Sequence, residues 1–164
     1  MTRYEHLVGL DWEMRERDCY ALVRRFYEDN YGILLRPYAY PEEWWHTAPH
    51  LDLFMRNFEA EGFLPIGIEN QFTIRTGDVV LIARGTPVAS HCGVWIGGNR
   101  FLHHPHQGFS LVDTWAGKWA GMTLAVVRHH AVPEPVLEKV DVMDLLPPHK
   151  RAAYRRAVQK RASA

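Results

Sequence analysis

The chain has 164 residues, with 19 lysines and arginines against 19 aspartates and glutamates. That length suits about one domain, and the even balance excludes a globally electrostatic binder of nucleic acid or membrane. Two cysteines, Cys19 and Cys92, are too few for a disulfide framework and fit a reduced, cytosolic origin.

The N-terminal stretch MTRYEHLVGLDW has neither the apolar run nor the cleavage site of a signal peptide. No segment approaches the ~20 apolar residues of a membrane span. The expectation is a soluble chain that no N-terminal signal exports. Asp18 is a good N-cap, and Leu22, Val23, Phe26 and Tyr27 follow at helical spacing before Asn30-Tyr31-Gly32. A helix is predicted from Cys19 to Asp29. Residues 33–50 hold Pro37, Pro41 and Pro49 among Tyr38, Tyr40, Trp44 and Trp45, a loop with one short helical turn. This aromatic run could be a wall for a sugar or peptide, a loop packed by its own rings, or a surface for a neighbouring subunit. Leu51, Phe54, Met55 and Phe58 fit a second helix ending near Gly62.

Strand patterns begin after Thr76-Gly77-Asp78. They are predicted at 79–83, 91–96, 100–104, 109–112 and 122–127, with Gly97-Gly98-Asn99 as a hairpin turn. Helix first and antiparallel meander after argues an α+β fold. Val132-Pro133-Glu134-Pro135 reads as a boundary, giving a domain over 1–131 and an extension over 132–164. Pro147-Pro148 can open a helix there, with Lys150, Arg151, Arg155, Arg156, Lys160 and Arg161 along it. Beyond Tyr154 it has no aromatic platform and no groove-reading motif. The expectation is a solvated face or an arm that docks a partner protein, not a nucleic-acid binder.

Cys19 stands in the first turn of its helix, where the positive end of the dipole favours a thiolate. From position alone it could equally be a buried structural cysteine. His91 opens a strand just before Gly93, and an imidazole is the usual base for a thiol. His103, on the return strand, could take a hydrogen bond from the His91 ring and fix its tautomer. His104 points to the opposite face and is expected to be a surface or packing histidine. Cys92, also alternate to His91, is expected in the core. The histidines lack a zinc spacing, so no metal and no cofactor is expected.

The segments Arg17-Asp18-Cys19-Tyr20-Ala21-Leu22-Val23-Arg24, Gly77-Asp78-Val79-Val80, His91-Cys92-Gly93-Val94-Trp95-Ile96-Gly97 and Phe101-Leu102-His103 resemble the motifs of NlpC-type peptidases. These are papain-like enzymes that cut the stem peptide of bacterial peptidoglycan. The resemblance covers about residues 5–130. It implies a papain-like fold, Cys19 as nucleophile, His91 as base and His103 as the residue that orients it. It also implies Asp18 as cap, the Cys19 backbone in the oxyanion site, and cleavage between D-glutamate and the diamino acid. Trp12 stands where the family often has an aromatic residue that reaches the site, and Trp44 and Trp45 are further candidates for substrate contact. The R-D-C-aromatic-x-L-V-R form, followed by Phe26 to Gly32, is similar to the phage-tail branch of the family. That likeness implies a tail-tip protein made in the host cytoplasm, carried in the virion beside other tail-tip proteins, and opening the wall locally during infection. A mainly structural tail-tip component with an inactive or gated peptidase fold is the alternative, and an acyltransferase or amidase on the same scaffold is a third.

Overall fold

The computed structural model describes residues 2–41, 43–67, 73–134, 143 and 146–162. Chain contacts define two compact units, Met1–Val132 and Pro133–Ala164. Pro135, within the expected boundary, lies outside the described residues.

Helix α1 spans Cys19–Tyr31. Asp18 Oδ1 accepts the N–H of Ala21 at 2.8 Å, which satisfies one of the donors a helix start leaves open. Gly32 closes the helix in the left-handed region, φ 65°, with its N–H on Glu28 O. Tyr20, Leu22, Val23, Phe26 and Tyr27 are buried along one face. The loop that follows contains α2, Trp44–Thr47, and leads to α3, Leu53–Ala60.

The strands are β1 (Phe63–Ile66), β2 (Val79–Ile82), β3 (His91–Gly97), β4 (Arg100–His103), β5 (Leu111–Thr114) and β6 (Thr123–His129). A short helix α4, Lys118–Met122, separates β5 from β6. The sheet runs β1-β6-β2-β3-β4-β5, and every pairing is antiparallel. The expected meander is therefore real from β2 to β5, whereas β6 returns to pair with β2 and takes the unexpected β1 on its far side.

Alternation along the strands divides the core in two. Val79, Leu81, Cys92, Val94 and Leu102 join Val23, Phe26 and Tyr27 of α1 in one cluster. Val80, Ile82, Trp95, Phe101, Trp119 and Val126 form another. Cys92 is fully buried in the first cluster, as its place on the strand leads one to expect.

The Gly77-Asp78 pair explains itself locally. Gly77 has φ 96°, and a Cβ there would run into the Tyr31 hydroxyl. Asp78 is 1% exposed and receives both Arg128 Nε and Nη2 at 2.7 Å, plus the Arg75 N–H at 2.7 Å. A charge this deep persists because all these donors compensate its lost hydration. The pair fastens the start of β2 to β6.

In the second unit, helix α5 spans Pro148–Ala162. Proline at its first position loses no intrahelical bond. Tyr154 and Val158 are exposed on it. Among the described residues no helix is long and apolar enough to cross a membrane.

Candidate active site

Cys19 is the first residue of α1 and half-buried. Asp18 holds this end from both sides: Oδ1 takes the Ala21 N–H, and Oδ2 takes the Arg15 N–H at 2.9 Å. Its carbonyl accepts from Leu22. The N–H groups of Cys19 and Tyr20 are thus left at the open end of the helix. Arg15 adopts the left-handed region, φ 68°, so the glycine-free stretch before Cys19 makes its turn through an arginine pinned by Asp18.

Cys19 and His91 line one cleft of about 310 Å³, together with Trp12, Asp18, Trp45, Arg84 and Ser90. That volume is at the small end for ligand sites. Trp12 and Trp45 are half-buried and form part of its wall. Trp44 edges the same cleft but is 1% exposed. It packs on Tyr40 and Phe54 at ring distances of 6.2 and 5.7 Å. The aromatic run is therefore a loop packed by its own rings, with one flank turned to the cleft.

His91 enters from the first position of β3 and is buried. Its Nε2 lies 2.8 Å from Nδ1 of His103 on β4. The register places Gly93 opposite His103, and a Cβ on Gly93 would sit 2.8 Å from His103 Cβ and from Leu102 O. The glycine two residues after His91 is thus the space in which His103 stands. His103 is stacked on Phe101, centroids 4.5 Å apart, and edge-on to Trp119 at 4.9 Å. His91 thus meets His103, and Cys19 shares a cleft with His91.

Of the two places expected for His104, surface or packing, the structure gives packing. Alternation does turn it away from His103, but the opposite face is the side of α1, not solvent. It is buried, lines the cleft with Cys19, and its Nε2 faces Gly108 O at 3.2 Å. No group of three or more metal-binding side chains occurs among the described residues.

Burial sets the charge state of these rings. It holds His91 well below the usual imidazole range, with His103 adding to the effect. It lowers His103 to about 4, against an opposing pull from Asp113. His104 and His129 are also lowered, first by burial. All are neutral at physiological pH, so the His91 ring keeps a lone pair. The unfolded chain titrates near 6.5 and binds more protons than the native state below that pH. Stability should therefore be full above about pH 6.5 and fall as pH drops towards about 4, with His103 alone contributing on the order of 3 kcal/mol. Urea melts across that window should show the loss, and His103→Asn should flatten the curve; a wild-type curve with no slope there would contradict the neutral buried rings.

A half-buried cysteine at a helix start and a neutral imidazole line one cleft, residue types that can support thiol chemistry. Residues 9–128 match the NlpC/P60 family, and the chain belongs to it. Its relatives include the tail tip assembly protein K of Escherichia phage lambda, 29% identical over 126 residues, or 77% of this chain and 60% of the relative. The tail tip assembly protein K of Escherichia phage N15 is 27% identical over 116 residues, 70% of this chain and 46% of that protein. The chain thus spans about half the length of the curated relatives it matches. Among solved structures, the NlpC/p60 domain of the peptidoglycan hydrolase SagA superposes with a TM-score of 0.51 at 15% identity, over 75% of this chain and 90% of that one. The fold is the papain-like NlpC fold.

Proposed function

We propose that this protein is a cysteine endopeptidase that cuts peptidoglycan stem peptides from the tip of a phage tail, opening the wall locally during infection. The observation that carries the reading is the 2.8 Å contact of His91 with His103 at a cleft that also holds Cys19 at a helix start. Cys19 Sγ attacks a stem-peptide carbonyl carbon while its proton passes to His91 Nδ1. The Cys19 and Tyr20 N–H groups face the oxyanion that forms. His91 gives its proton to the leaving amine, and the amide bond breaks. Water then loses a proton to His91 and hydrolyses the thioester, returning the thiol. His103 orients the His91 ring. The bond cut is the one between D-glutamate and the diamino acid. Trp12 and Trp45 bind the peptide flanks.

The two tail-tip relatives support placement in the virion, after assembly in the host cytoplasm. The extension from residue 132, with its basic helix, is the part that docks other tail-tip proteins. Those relatives are named for assembly, which favours a second reading: a structural tail-tip component with a gated peptidase fold. Mass spectrometry of purified muropeptides incubated with wild type and with Cys19→Ala separates the two. Fragments from wild type alone, cut after D-glutamate, support the peptidase. No fragments from either move the reading to the structural component.

A further inference from the structure

The His91–His103 contact joins two neutral imidazoles, and each carries one N–H. Two proton arrangements are compatible with it. In one, His91 Nε2–H donates to His103 Nδ1, His91 Nδ1 keeps its lone pair for Cys19, and the His103 proton is on Nε2. In the other, His103 Nδ1–H donates to His91 Nε2, and His91 then carries its proton on Nδ1 and cannot serve as base. The contact alone does not choose between them.

His103 Nε2 is buried and makes no hydrogen bond among the described residues. It lies 3.9 Å from Oδ2 of Asp113 on β5. That is too long for a hydrogen bond, but the Asp113 side chain is 37% exposed, and a turn of about 1 Å brings it into range. Asp113 is itself held. Trp119 Nε1–H donates to Oδ2 at 2.7 Å, and the Thr114 N–H donates to Oδ1 at 2.8 Å. The same Trp119 packs edge-on against His103.

We infer that Asp113 is a positioning residue of this site: its carboxylate accepts from His103 Nε2–H and so selects the tautomer in which His91 Nδ1 is free to take the Cys19 proton. An ionised carboxylate only accepts, so it admits one proton direction along the chain Asp113, His103, His91. When His91 becomes an imidazolium, the Asp113 carboxylate stabilises its charge through the His103 ring between them. The inference deepens the peptidase reading and rests on it for its catalytic consequence, though not for the tautomers.

The test uses the full chain labelled with nitrogen-15. Long-range proton–nitrogen correlation reads which ring nitrogen carries the proton, with or without activity. Wild type should show Nε2–H on both His91 and His103. In Asp113→Asn the amide presents N–H to His103, which should move to the Nδ1–H form and take His91 with it. Turnover of the muropeptide should fall on the order of 10²-fold with KM changed less than about twofold. Asp113→Glu should restore part of the rate, and Asp113→Leu, which offers no donor, should lose less than Asp113→Asn. A wild type with Nδ1–H on His103, or tautomers unmoved in Asp113→Asn, overturns the inference. A wild type that cleaves nothing while the tautomers shift as expected overturns the peptidase reading and upholds the role of Asp113.

Discussion

His91→Ala should retain the fold and lose turnover of a stem-peptide substrate by about 10⁴-fold or more. The reason is the order of events at Cys19. A thiol at neutral pH is a poor nucleophile until a neighbouring base takes its proton, and of the three histidines that line the cleft with it, His91, His104 and His106, His91 is the one whose ring meets a second imidazole. Its Nε2 is committed to His103, so its Nδ1 is the nitrogen left for the thiol. Because nucleophile and base act as one unit, the double variant Cys19→Ala/His91→Ala should be no worse than Cys19→Ala alone. Iodoacetamide gives a readout that needs no substrate. Cys92 is fully buried, so labelling of the native protein reports Cys19. It should slow in His91→Ala and in His91→Asn, whose amide fills more of the vacated space. Equal labelling rates in wild type and both variants, with unchanged melting, would mean that the pair is not coupled and that the cleft is not a hydrolase site.

Most of this site was legible because its parts lie in local signals. Asp18 before an apolar helical run marks a cap, and the cap places Cys19 at the helix start. Alternation correctly put His91 and His103 on one face and Cys92 and His104 on the other. It could not say what the other face meets, and for His104 the answer is the α1 side with its cleft. Strand β1 escaped because Pro65 stands in the middle of it; proline lacks the ladder donor, and it is tolerated here because β1 is an edge strand. Helix α4 has five residues, one of them Gly121, and it has too little periodicity to be seen. It is placed by Trp119, which fills the second core cluster. Asp113 carries no motif. Its meaning depends on β5 pairing with β4, Phe101 opposite Asp113, and on the return of the chain through α4. Such nonlocal placement has no period and no spacing for a single sequence to reveal.

Gly93→Ala should damage stability and activity together, and it is the sharpest test of how the fold makes the site. The backbone at Gly93 needs no glycine for its own conformation, since its φ is not in the left-handed region. The constraint is space. A Cβ there would sit 2.7 Å from Phe101 Cδ2, 2.8 Å from His103 Cβ and 2.8 Å from Leu102 O. The last of these is backbone in the β3–β4 ladder, so it cannot swing aside as a flexible side chain would. Relief requires the two strands to part or the His103 ring to move with its chain. Overpacking of this kind costs about 1–3 kcal/mol. Displacing His103 by even about 1 Å from His91 should cost roughly 10²-fold in turnover, on top of any unfolding. Gly121→Ala is the matched control, because nothing lies within 4 Å of its Cβ and it is helical. That variant should melt at or above the wild-type temperature with full activity. A Gly93→Ala protein that melts and turns over like wild type would mean that the strands part at little cost. The glycine two residues after His91 would then have no structural reason in the seating of His103.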